Sequence, residues 1–169
     1  KMIRTNAPGL YGWKTALYGT LLKAPLIGLA FPGTVSGLMS AGHETACHAW
    51  DHRLWQDWLF LMPSSSIGAW FRKMVAAYEG VTGMKPRAFG APGWVMDGRS
   101  LEVAAGWGFD YLSCSRACLP FVFAENGMLE VPSNLPCIEE AGVDGVMAAL
   151  EQRASGGDPQ VLPVHAEVE

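Results

Sequence analysis

Residues 86–114, PRAFGAPGWVMDGRSLEVAAGWGFDYLSC, carry alternating strand and helix signals. Pro86–Phe89 reads as a short strand and Gly90–Trp94 as a loop. A helix follows from about Ser100 to Ala105, closed by Gly106, and Phe109–Cys114 reads as a second strand. Strand, helix and strand in that order predict an α/β fold with a mostly parallel sheet or barrel. Chemistry in such folds collects where the strands end. Working upstream, Ser64, Ser65 or Ser66 is placed to cap a helix. That helix carries Ile67, Trp70, Phe71, Met74, Val75 and Tyr78 as an apolar stripe and ends at Gly83. Upstream again, Leu26–Phe31 reads as a strand followed by a short helical piece. Downstream, Pro120–Phe123 and Met128–Val131 flank Glu125-Asn126-Gly127, whose Asn-Gly pair signals a hairpin turn. Val143–Arg153 reads as a helix with Val143, Val146, Met147 and Leu150 on one face. After the break at 156–159, Val161–Val164 reads as a buried strand that delivers His165.

The chain has 169 residues, enough for one domain (1–169) with a sizeable core. Half of it is hydrophobic, only 17% is charged and the net charge is −4, with no basic run, so nucleic acid is not an expected partner. The four cysteines, at 47, 114, 118 and 137, form no CxxC pair, which favours reduced thiols and a cytoplasmic setting. Lys1 and Glu169 both read as cut edges of a longer protein. Between residues 8 and 41 the only charges are Lys14 and Lys23. Pro25, Pro32, Gly28, Gly33 and Gly37 interrupt this stretch and argue against a transmembrane helix. Either a buried strand and helix or a surface that enters the lipid interface accounts for its composition.

The run Gly42–Trp55 concentrates the chemistry. Three of the four histidines, His43, His48 and His52, fall within ten residues of each other. Neutral imidazole is a preferred ligand of first-row metals. Two rings four residues apart can converge on one ion from a helix or from a tight loop at a strand end. A histidine pair without a metal is the alternative. The position of the run just after a strand-like stretch, together with the Gly90–Trp94 loop and His165, favours the metal.

The segments GHETACHAWDHRLWQ (42–56), GAPGW (90–94) and LPVHAEVE (162–169) resemble motifs of the polysaccharide deacetylase family, the NodB homology domain. KMIRTNAPGLYGW (1–13) and the HAWDH form of the histidine motif resemble its deformylase branch, which acts on formamido-arabinose carried on undecaprenyl phosphate. The resemblance implies a distorted (β/α) barrel, incomplete here because the first strand is missing. It implies that His48 and His52 bind a divalent metal, zinc first, with cobalt or manganese as alternatives. The Gly93 backbone N–H would help to hold the oxyanion, and His165 would be the general acid that protonates the leaving amine. Trp94 and Arg116 become candidates for substrate binding, His43 and Asp51 for supporting the ligands. Two features depart from the family. The strand ending in two aspartates, source of a third ligand and the general base, has no counterpart. Gly90 stands where an arginine is usual, as a small residue also does in the deformylase branch.

The expected activity is metal-dependent hydrolysis of a formamide on a lipid-linked amino sugar, at the cytoplasmic face of the inner membrane of a Gram-negative-type bacterium. Deacetylation of an N-acylated glycan is the alternative enzyme reading, and a binding module that has lost its chemistry is the third. Trp55, Glu44 and Asp110 are lesser candidates, for the sugar site, for structural support and for buttressing a catalytic group.

Overall fold

A computed structural model describes residues 12–14, 17–18, 21–22, 25–154 and 156–164. The chain divides into two compact units: residues 28–134, and residues 1–27 with 135–169.

In the first unit, α2 (Pro32–Ser40), α3 (His52–Trp58) and α4 (Ser64–Thr82) precede strand β1 (Ala88–Gly90). A single 3-10 turn, Pro92–Trp94, leads into α5 (Gly98–Ala105). Strands β2 (Tyr111–Ser113), β3 (Phe121–Val122) and β4 (Leu129–Glu130) follow. The sheet runs β1-β2-β4-β3, with β1, β2 and β4 parallel and β3 antiparallel to β4. This is the α/β arrangement that residues 86–114 predict.

The local chemistry explains the elements. Asp97 caps α5: its carboxylate accepts from the Ser100 N–H, and the Ser100 hydroxyl returns a bond to the Asp97 backbone. Gly83, at φ 70°, closes α4 in the left-handed conformation that glycine adopts without strain. In the hairpin, Asn126 accepts from the Met128 N–H at 3.1 Å, and the Gly127 N–H reaches the Phe123 carbonyl at 2.8 Å. The α4 stripe faces inward through Ile67, Phe71, Met74 and Val75, with Trp70 and Tyr78 packed at its margin. At the centre, Phe71 lies 5.0 Å from Phe89 between ring centroids, and Trp55 5.7 Å from Phe89. Each ring buried in this way contributes about 1.5–3 kcal/mol.

Three expectations for residues 26–66 are corrected. Leu26–Phe31 is not a strand, because Ile27–Ala30 forms a short helix, α1, and Pro32 starts α2 at its first position. A short apolar run does not distinguish strand from helix. None of Ser64–Ser66 caps α4, since the chain enters it through Pro63 and all three serines lie inside the first turn. Trp55, a candidate for the sugar site, is buried in the core.

In the second unit, α6 spans Ile138–Ala154 with a break at Gly142 (φ 66°, ψ 170°). Val146 is buried, but Val143 and Met147 are exposed, so the expected stripe is not a packed face. Residues 161–164 form no strand, and Val164 is exposed. The segment is held instead by the Leu135 N–H on the Val161 carbonyl at 3.2 Å. Pro163 has no N–H to donate to a ladder. His165 lies outside the described residues.

Candidate functional site

The parallel strands bring several candidate residues to one edge. The Cys47 N–H donates to the Ala88 carbonyl at 3.1 Å, and the Gly90 N–H donates to the Cys47 carbonyl at 2.9 Å. Cys47 therefore pairs in parallel with Phe89, on the side of β1 away from β2. His48 leaves this bridge at the carboxyl end of β1, beside Gly90. Its Nδ1 lies 2.9 Å from the Gly90 carbonyl oxygen. A carbonyl only accepts, so Nδ1 carries the proton, and in the neutral ring Nε2 carries the lone pair.

Ala49 then adopts a left-handed φ of 61°, unusual for a residue with a Cβ. Asp51 follows as N-cap of α3, its carboxylate accepting from the Leu54 N–H at 2.8 Å, and His52 is the helix's first residue. The pair thus spans a loop and a helix start. Their ring centroids are 5.1 Å apart with planes tilted by 48°.

Two adjacent imidazoles, one oriented through its second nitrogen by a backbone carbonyl, suit a divalent metal. They number two, where a catalytic metal site usually has three protein ligands. Among the described residues no group of three or more His, Cys, Asp and Glu side chains could hold an ion. His43 is exposed beyond α2, with its backbone N–H on the Leu38 carbonyl at 3.1 Å. Asp51 acts on the helix backbone.

The loop after β1 is joined to α3. The buried Trp55 indole N–H donates to the Val95 carbonyl at 2.7 Å. Gly93 has φ 58°, and a Cβ there would collide with the Gln56 carboxamide. Gln56 follows His52 by one helical turn, so α3 presents both toward the loop. Trp94 also has positive φ, 56°, and its indole N–H donates to Ser133 Oγ at 3.0 Å. The Arg116 guanidinium lies 4.9 Å from the centroid of the Trp94 ring, a cation–π stack. The structure therefore brings together His48 with His52, His52's helix with Gly93, and Trp94 with Arg116.

Glu44 accepts from the Tyr111 hydroxyl at 3.1 Å, and Asp110 pairs with Arg87 at 2.6 Å on the surface. Neither of these contacts involves the histidine pair. Sequence reading missed Gln56 and Glu130. Glu130 ends β4, is wholly buried, and accepts from the Cys114 N–H and the Ser115 hydroxyl, each at 2.7 Å. Burial pushes its carboxyl above the usual range, against the opposing pull of the Ser115 and Cys114 hydrogen bonds. Lying in a strand-like run with no motif around it, Glu130 offered only its position at a strand end as a signal.

No family model matches the chain. It is 30% identical, over its whole length and 57% of the relative's, to a 4-deoxy-4-formamido-L-arabinose-phosphoundecaprenol deformylase of Shewanella sediminis. A deformylase of the same name from Wigglesworthia glossinidia brevipalpis is 28% identical over 83% of this chain and 50% of that protein. The chain thus spans about half the length of the curated relatives it matches. Among solved structures, a polysaccharide deacetylase from Mycobacterium smegmatis superposes with a TM-score of 0.72 at 20% identity, covering 83% of this chain and 56% of that one. The four-stranded sheet is accordingly part of the barrel that the sequence predicts.

Proposed function

We infer that this chain, a protein of the polysaccharide deacetylase (NodB homology) family with deformylase relatives, hydrolyses the amide of an N-acylated amino sugar. Its substrate, in this reading, is a formamido sugar on a polyprenyl phosphate, the class named for its relatives. The observation that carries the reading is the His48–His52 pair at the carboxyl end of β1, with His48 oriented by Gly90.

His48 and His52 would hold a divalent metal, zinc first, with a further ligand from outside the described residues. Such an ion lowers the pKa of bound water from about 15.7 toward about 7 and polarises a carbonyl. The general base that would take the proton of the attacking water has no counterpart in this sequence; the chain's own residues would supply the oxyanion donor, the acid and the phosphate contact. The Gly93 N–H, held by a backbone that Gln56 packs against, would donate to the oxygen on which charge develops. His165 would protonate the nitrogen as the carbon–nitrogen bond breaks, releasing formate and a free amine. Arg116, on the face of Trp94, would meet the phosphate.

A lipid-linked substrate requires approach to a membrane. Trp58 and Phe60 (69% exposed) and Leu61 stand together at the end of α3, and Phe31 and Leu38 are exposed along α2. The exposure of these apolar side chains supports peripheral contact with the cytoplasmic leaflet. No helix of the described residues is long and apolar enough to cross a membrane.

The test is product analysis with the full-length protein and added zinc or cobalt. Formate from a formamido-arabinosyl polyprenyl phosphate supports the reading. Acetate from N-acetylated glycan oligomers would replace it with a polysaccharide deacetylase. Release of neither would leave a binding module.

A further inference from the structure

Glu130 is the one buried acid among the described residues, and it stands where the β2–β4 ladder changes register. Leu112 pairs with Glu130, and the Val131 N–H donates to the Leu112 carbonyl at 2.8 Å. Pairing resumes as a parallel bridge between Arg116 and Ser133, with the Ser133 N–H on the Ser115 carbonyl at 3.0 Å. Between these two pairs the chain after β2 advances four residues and the chain after β4 only three. The first therefore carries one extra residue, a β-bulge.

Without the bulge Ser115, not Arg116, would stand opposite Ser133. A one-residue slip turns side chains to the other face. The Glu130 carboxyl bridges the gap: its Oε1 takes both the Cys114 N–H and the Ser115 hydroxyl, while Oε2 is buried with no partner among the described residues. A half-satisfied carboxyl is costly to bury. Its two bonds hold the residues immediately before Arg116. Arg116 then lies over Trp94, whose indole is tied to Ser133.

We propose that Glu130 is a positioning residue: by holding the bulge it registers Arg116 opposite Ser133 and sets the guanidinium over Trp94 for the phosphate of the substrate. The proposal rests on the reading above that the substrate carries a phosphate. Its test uses the full-length protein with Glu130→Ala, Glu130→Gln, Arg116→Ala and the Glu130→Ala/Arg116→Ala pair. Glu130→Ala is expected to raise KM for the phosphorylated substrate about tenfold with little change in kcat, the scale of a displaced charge-assisted contact. Glu130→Gln keeps the acceptor and restores KM, and the double variant is no worse than Arg116→Ala alone. An unchanged KM in Glu130→Ala, failure of Glu130→Gln to restore it, or effects that add in the double variant would overturn the proposal. Binding of inorganic pyrophosphate to the metal-free protein, by calorimetry, separates this from the activity. If wild type releases no formate yet binds pyrophosphate about tenfold more tightly than Glu130→Ala, the function fails and the positioning role stands. Equal pyrophosphate binding by wild type and Glu130→Ala would overturn the role whatever the activity. Should Glu130→Ala not fold, Glu130→Gln and Glu130→Leu decide: wild-type binding in the first and loss in the second support the role, and the same affinity in both overturns it.

Discussion

His48 and Gly90 are joined by a hydrogen bond of 2.9 Å from the imidazole Nδ1 to the backbone carbonyl, across 42 positions of sequence. That bond ties the histidine run to the end of β1 and selects the tautomer. In the neutral protein, nitrogen-15 spectra should therefore show His48 protonated at Nδ1 with its lone pair on Nε2. The opposite tautomer would remove the basis for treating Nε2 as a ligand.

Gly93 combines a left-handed backbone with contact against Gln56. Gly93→Ala should destabilise the protein by about 1–2 kcal/mol from φ, the end of the Gln56 side chain swinging aside at little further cost. Thermal unfolding measures the loss, and adding Gln56→Ala should recover little of it. A Gly93→Ala protein with unchanged Tm would contradict the geometry.

The thiols should differ sharply in reactivity. Cys47 is buried and its thiol is pushed up to about 12, first by burial and then by the nearby charge of Glu79. Burial also raises Cys114, with Glu130 adding to it. Cys118 is exposed. In native protein at pH 8 an aromatic disulfide reagent should label Cys118 well before Cys47 or Cys114, and peptide mapping reads the order.

Glu130 makes stability depend on pH. Its carboxyl titrates higher folded than unfolded, because burial outweighs the hydrogen bonds from Ser115 and Cys114. The folded state then holds the proton more tightly, so stability falls as pH rises from the ordinary glutamate range through the raised folded value. Glu130→Gln has no such proton. Its Tm should fall less than that of wild type across that interval, and parallel Tm curves would refute the assignment.

Much of this was legible in the sequence, for definable reasons. The α4 stripe and the Asn126-Gly127 hairpin follow from short-range rules, and both stand within two residues of their expected places. Strand, helix and strand in residues 86–114 gave the parallel sheet. Apolar runs misled: Leu26–Phe31 reads equally as strand or helix, and Val161–Val164 contains a proline, which cannot donate to a ladder. The histidine pair was visible because both members lie in one short run. Glu130 and Gln56 were not, because their meaning depends on partners far away in sequence. A bulge comes from comparing the registers of two strands, and nothing local to Glu130 announces it.

In the proposed reading His48 and His52 grip one catalytic cation. Zinc affinity and formate release of the full-length protein, measured together for wild type, His48→Ala and His52→Ala, test it most directly. Each variant should lose both the bound zinc and the turnover. Turnover that survives in His48→Ala, or zinc bound undiminished by both variants, would contradict it.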